Sequence, residues 1–519
     1  MTKSGNGRLL VIAVVILSYA IFALPSIAVN GFTKTPQAFY QSLTEGFLSG
    51  QLNMTIKPSA GLLKLTNPYD PAQNAHVPRS DDASFYHGKY YLYFGPLPVL
   101  TFFLPFKLLT GLYAPQSLAI VFFSSLAFIF NFLVLIKIRQ KFFPTISELQ
   151  LNFLGLLLGF ANNLLYVFLR PNFYEIAIIS AYCFMSMAVY FLYEVFSNDG
   201  KLRTVLAFAI CLSLTVAGRP HFALAVLFLI PITAFFITKY APKEKRSWLL
   251  FSLLMPVLLI GSTLALYNYL RFDSIFEFGR SYQLGIHDFR YDPIIRPNFY
   301  CTMVLQLYYY FIQPIFLYSL HPIPAVMWGL VQDTTYEDTI GIFTTTPIVF
   351  MVLLLPKLLL LNSKNNNYMP KQLLWFSTAT TITALIVLFF LASLRSIAQR
   401  YEIDFLPYLI ICAILNLWLL QQYTVYPRLL AKIAQPFLFA TCVISILIGI
   451  NFGMLAYRLS VNVILLSAMT NVLFLLIPGF LLLTYCMIRS THSETAAMTS
   501  VRVTDGLKIG WPDAQKNPA

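Results

Sequence analysis

Leu97-Pro98-Val99-Leu100-Thr101-Phe102-Phe103-Leu104-Pro105-Phe106-Lys107-Leu108-Leu109-Thr110-Gly111-Leu112 is the stretch on which the fold turns. It is apolar enough to enter a bilayer. Yet it follows Pro96, carries Pro98 and Pro105, and falls short of the ~20 residues that a spanning helix needs. If it spanned, Lys137, Arg139 and Lys141 would fall outside and every later basic loop would be inverted. Laid on the outer surface, it leaves those residues inside, where short loops concentrate Lys and Arg. We therefore read it as an outer-surface segment, with both termini inside.

The rest of the chain supports lipid as its solvent. With 58% apolar and 11% charged residues over 519 positions, and a mean hydropathy of +0.70, there is too little polar surface to coat a water-soluble globule. The net charge of +14 is spread between apolar runs rather than gathered on a polar domain, which marks topology and not a nucleic-acid partner. The first run, Leu9 to Val29, follows Lys3 and Arg8. It ends in Ser26-Ile27-Ala28, which has a signal-peptidase form, but its length and Pro25 favour a retained anchor. Further runs at 115–136, 148–168, 172–195, 203–218, 221–240, 247–269, 340–361, 372–393, 402–421, 432–456 and 463–488 predict an all-α polytopic membrane protein of about twelve transmembrane helices, N-in and C-in.

Two outer loops are long, 30–114 and 270–339, and the inner connections are short. The last two apolar runs fall within 426–489, and 490–519 reads as a disordered tail on the inner side. Cys183, Cys211, Cys301, Cys412, Cys442 and Cys486 lie in or beside apolar segments without metal-ligand spacing and are read as free thiols. The sequence shows neither an internal repeat nor a nucleotide-binding glycine loop.

Polar chemistry concentrates in the first outer loop, in Asn67-Pro68-Tyr69-Asp70-Pro71 and in Asp81-Asp82-Ala83-Ser84-Phe85-Tyr86-His87-Gly88-Lys89-Tyr90-Tyr91-Leu92-Tyr93-Phe94-Gly95-Pro96. Paired carboxylates with a cation and several tyrosines suit deprotonation of a hydroxyl beside a polar, ring-shaped substrate. A solvated turn among interfacial aromatics would read the same way. Charges recur at expected outer helix ends: Arg170-Pro171-Asn172-Phe173-Tyr174-Glu175, Arg219-Pro220-His221, Tyr267-Asn268-Tyr269-Leu270-Arg271-Phe272 with Glu277, Glu337, and Arg400-Tyr401-Glu402-Ile403-Asp404-Phe405-Leu406-Pro407. Each arginine singly reads as a snorkelling anchor. Together they predict a cationic, aromatic vestibule for a phosphate-bearing lipid, because guanidinium groups clamp phosphate oxygens in pairs.

In these segments, in their order and their sidedness, the chain resembles the GT-C class of membrane glycosyltransferases, which includes protein O-mannosyltransferases and lipid A aminoarabinose transferases. The resemblance covers residues 9 to 425, within the class it is similar to an uncharacterised bacterial branch, and it implies a catalytic region at 1–425 followed by variable C-terminal helices at 426–489. It implies a bacterial inner-membrane protein that transfers a sugar from a polyprenyl-phosphate carrier to a hydroxyl of a lipid, glycan or protein acceptor on the outer face, with inversion. An aspartate of the first loop is then the base. Asp82 is the first candidate, Asp81 the second and Asp70 the third. Glu45 matches the family's usual distance from the first helix but lies in an amphipathic stretch that a solvated helix face explains. Arg400 and Tyr401 are assigned to the carrier phosphate, with Lys89, Arg219, Arg271, Tyr86 and Glu337 as supporting substrate contacts. No cofactor is expected, although Asp81, Asp82 and Glu337 offer oxygen ligands for a divalent metal. The alternatives are a transporter or lipid flippase, and a surface-glycan polymerase or ligase. The position of the acidic motif discriminates: beside the Arg400 helix end for the transferase, remote from it for the others.

Overall fold

The structure, a computed structural model, describes residues 3–168, 170–197, 201–285, 287–291, 299–313, 335–336, 339–364, 369–394, 396–423, 428–455, 472–473 and 476–490. Glu337 and the C-terminal tail after 490 lie outside the described residues, as does part of the last expected run. Within them, nine helices are long and apolar enough to cross a membrane: Gly5–Asn30, Gln116–Phe142, Glu148–Val167, Phe173–Ser197, Pro220–Tyr240, Lys243–Phe272, Lys371–Ala392, Leu406–Tyr423 and Ala434–Asn451. Leu202–Gly218 and Pro347–Ser363 are apolar but shorter, and Ile477–Ser490 is the described part of the last run. The chain is thus a multi-pass helical membrane protein, with nine full-length spans among the described residues.

Phe173–Ser197 and Leu406–Tyr423 are apolar on all sides, and they form the centre of the bundle. Lys3–Asn30 and Lys243–Phe272 turn most of their side chains outward, as helices at a lipid boundary do.

The stretch 97–112 does not cross. It folds as a π-helical turn, Val99–Phe103, running into the helix Leu104–Thr110, together ~18 Å long at 1.5 Å per residue. Pro98 stands in the first turn of this helical stretch, where no hydrogen bond is lost, and Pro105 follows directly on the π-helical turn. After it, Tyr113 exchanges backbone hydrogen bonds with Thr33 (2.8 and 3.3 Å), just past the first helix. No spanning helix separates Thr33 from Leu97, so the segment leaves and returns on one side. Before it, Gly95 lies so close to Ala217 that a Cβ there would stand 1.8 Å from the Ala217 carbonyl oxygen.

Three breaks in expected helices position the polar residues. Leu202–Gly218 stops because Arg219 precedes Pro220 and adopts extended backbone (φ −139°, ψ 113°). The expected run 148–168 breaks after Phe160, where Asn163 takes the left-handed conformation (φ 57°) and Asn162 Oδ1 accepts from Leu164 N. The expected run 402–421 becomes α-helical only at Leu406, with Pro407 in its first turn; Gln399–Asp404 before it is a 3-10 turn.

The two long loops are stitched together over this end of the bundle. Ser84–Tyr86 and Lys89–Tyr91 form an antiparallel hairpin, Phe85 opposite Tyr90, closed by His87 and Gly88, both at positive φ. Ser84 also bridges Gln283 from the second loop, and Thr335–Tyr336 pairs in parallel with Ser396–Ile397.

Candidate active site

Asp82 sits in the left-handed region (φ 63°), held from two sides by the second loop. Its backbone N donates to Leu284 O at 2.8 Å, and Gln283 Nε2 donates to its Oδ1 at 2.8 Å. Leu284 N returns a bond to Ala83 O at 3.0 Å. The carboxylate is half-buried and lies near the hydroxyl of Tyr174.

Tyr174 is the link to the arginine segment. It opens the Phe173–Ser197 helix, and the Arg400 guanidinium lies 5.1 Å from its ring centroid and 5.5 Å from that of Tyr401. Arg400 also approaches Glu175, N to O 3.6 Å, with both side chains buried. Tyr93, which follows the hairpin, completes the group. Burial and the neighbouring Tyr174, Tyr401 and Asp82 push its hydroxyl well above the ordinary phenol range, opposed by Arg400. Asp82 and Arg400, 318 positions apart by number, therefore share one cluster of tyrosines.

Beneath this half-buried mouth lies a buried floor. Arg219 Nη1 donates to Asp404 Oδ2 at 2.5 Å, and its guanidinium stacks 5.0 Å from the Tyr401 ring centroid. His221 Nε2 stands 3.4 Å from the same Asp404 oxygen. Asp404 and Glu402 are wholly buried. Arg219 Nε, Asp404 Oδ1 and Glu402 Oε1 have no hydrogen-bond partner among the described residues. The expected vestibule is aromatic, but among the described residues Asp82, Glu175 and Asp404 balance Arg219 and Arg400, so it is not strongly cationic.

The remaining sequence candidates lie apart from this cluster. Asp70 caps the short helix Pro71–Asn74 by accepting from Ala72 N at 2.9 Å. Asp81 is exposed and pairs with Arg79 at 2.7 Å. Lys89 is exposed on the hairpin. Tyr86 donates to Asp273 at 2.9 Å within a ring cluster with His87, Phe272 and Tyr282. Arg271 is buried; it donates to Leu92 O and Asn268 Oδ1 at 2.8 Å each and stacks on Tyr267. It thereby anchors the strand end that delivers Tyr93. Glu45 lies on the helix Phe39–Leu48 and accepts a hydrogen bond from the Tyr113 hydroxyl. Arg170 is exposed beside the mouth.

Sequence reasoning quoted Tyr93, Tyr174, Glu175 and Asp404 without assigning them roles, and passed over Gln283 altogether. Asn162-Asn163 inside an apolar run was a readable signal of a helix break. Gln283, in a loop of mixed polarity, carried none. No group of three metal-ligating side chains occurs among the described residues.

No protein-family model matches the chain, and no curated protein matches it. Two crystal structures of ArnT from Cupriavidus metallidurans are similar to it at 13% sequence identity, each match covering 94% of this chain and 78% of that one. The TM-score is 0.42 for ArnT bound to undecaprenyl phosphate and 0.37 for ArnT in the apo state.

Proposed function

We propose that the protein is a membrane glycosyltransferase that moves a sugar from a polyprenyl-phosphate carrier to a hydroxyl of a lipid, glycan or protein acceptor at the outer face. The observation that supports this reading is the meeting of the first-loop acid with the arginine segment: Asp82 lies near Tyr174, on which Arg400 stacks. A transporter has no need of that pairing at the rim of the bundle, since transport sites favour the midplane.

In this mechanism Asp82 takes the proton of the acceptor hydroxyl as the oxygen attacks the sugar carbon. The bond from that carbon to the carrier phosphate breaks, and its electron pair leaves with the phosphate. Attack and departure on opposite faces invert the carbon. Phosphate is a good leaving group, so one base suffices, and the developing charge needs donors rather than an acid. Arg400 supplies them, with Tyr401 beside it. Gln283 and the left-handed backbone keep Asp82 facing the cluster. Arg219, committed to Asp404, holds the floor and the Tyr401 ring.

The test is sugar transfer from radiolabelled polyprenyl-phosphate hexoses and pentoses in membranes that hold equal amounts of wild type, Asp82→Asn or Arg400→Ala. Transfer by the wild type that Asp82→Asn abolishes is the expected result. Transfer that survives Asp82→Asn removes Asp82 as the base, and no transfer from any carrier overturns the reading.

A further inference from the structure

Glu402 joins three separate parts of the chain through one carboxyl group. Its Oε2 accepts from Asn163 Nδ2, at the helix break, and from Gln399 Nε2 at 2.9 Å. Gln399 in turn accepts from Ile340 N and donates to Ile340 O, where the second long loop ends. Glu402 is wholly buried, and the groups that act on it most are these two amides, not a cation.

Arg400 and Tyr401 immediately precede it, and Asp404 follows two positions later. We propose that Glu402 is the positioning residue of this site: accepting from Asn163 and Gln399, it fixes the register of the Arg400–Tyr401 turn against the broken helix and the second loop. Burial alone pushes its carboxyl well above the usual carboxylate range, and the two amide donors only partly oppose this.

Among the described residues Tyr310, from the helix Phe299–Phe311, stands near it, and Arg400, Tyr401 and Asp404 of its own turn bring in Glu175 as the partner of Arg400 and Arg219 and His221 as neighbours of Asp404. Two of the carboxylates pair with arginines, Glu175 with Arg400 and Asp404 with Arg219. Glu402 differs from them in having amides where they have guanidinium groups.

The test compares full-length wild type, Glu402→Gln and Glu402→Ala in lipid nanodiscs. Its first readout is thermal unfolding from pH 5 to pH 8. A carboxyl whose folded value is raised gives stability that is present below its unfolded value and lost as pH rises toward the folded one. Glu402→Gln keeps an acceptor for both amides and cannot ionise, so its midpoint relative to wild type should rise with pH, by about 2 °C or more across the range. A Glu402→Ala midpoint equal to that of wild type throughout the range overturns the proposal. The second readout, sugar transfer, rests on the transferase reading. Glu402→Gln should remain within about twofold of wild type, and Glu402→Ala should lose roughly tenfold or more in kcat, as misplaced catalytic groups do. Glu402→Gln as inactive as Glu402→Ala would also overturn it. Absence of transfer in all three proteins would sink the transferase reading while leaving the thermal comparison to decide the role of Glu402.

Discussion

The helix Phe173–Ser197 carries a carboxylate near each end, Glu175 and Glu194, ~29 Å apart along its axis, and the two ends of the bundle treat charge in opposite ways. At the Glu194 end, charges meet near the surface. Glu148 accepts from Arg8 at 3.0 and 2.5 Å and from Arg139, and Lys137 reaches Glu194 at 3.5 Å. At the Glu175 end, Arg219, Arg400 and Asp404 are buried beside Tyr174 and Tyr401, and Arg219 Nε and Asp404 Oδ1 lack a hydrogen-bond partner among the described residues. Partly exposed pairs gain little and cost little, so the first end works as a clasp. Buried charge with unfilled hydrogen-bonding capacity is expensive, and a membrane protein keeps it where a substrate can fill it.

The contrast should be widest in activity. Asp82→Asn removes the base while keeping the acceptor for Gln283, and it should lower transfer by about 10²-fold or more at unchanged protein level. Glu148→Gln, at the opposite end, should leave transfer within about twofold. An equal loss in the two variants, measured as initial rates in the same membranes, would erase the distinction between clasp and site.

The next largest effect is on stability. Asp404→Ala strands Arg219 in a buried position and should cost about 3–5 kcal/mol. Arg219→Met with Asp404→Leu should recover much of that loss in thermal unfolding while transfer stays low, because the Tyr401 ring loses the guanidinium on which it stacks. Recovery of transfer by the double variant would show that the floor is scaffolding alone.

A smaller effect isolates the stitching of the loops. Gln283→Ala frees one oxygen of Asp82 and leaves the backbone bonds to Leu284 in place. It should lower kcat by about tenfold with little change in KM for the carrier, since it disturbs the orientation of the base and not the phosphate contacts. A change confined to KM would instead place Gln283 on the substrate.

How much of this the sequence disclosed depends on which physics each part obeys. Lipid-spanning runs are legible because hydrocarbon imposes length and apolarity, and proline placement and loop charge favour a surface position for Leu97–Leu112, with which its return to Thr33 agrees. The turns at Arg219 and Leu406 were foreshadowed by Pro220 and Pro407. The pairing of Asp82 with Gln283, and of Glu402 with Asn163, was not. Both join residues more than 200 positions apart by contacts that leave no periodicity. Tyr93 and Tyr174 were visible as aromatics, but interfacial anchoring explained them equally well until the fold set them together.

The smallest expected effect tests the clasp itself. Glu148 accepts from Arg8 and Arg139 with its side chain 28% exposed, so water and salt share the interaction. Glu148→Gln should therefore lower stability by only ~1 kcal/mol or less, and the loss should shrink as ionic strength rises. A loss as large as that of Asp404→Ala, insensitive to salt, would mean that Arg8 and Arg139 are effectively buried by lipid headgroups. Both ends would then belong to the same electrostatic regime, and unfilled valence rather than burial would be what separates them. The corresponding measurement is the unfolding midpoint of Glu148→Gln in nanodiscs of neutral and of anionic lipid, because only a headgroup-covered clasp responds to the change in lipid charge.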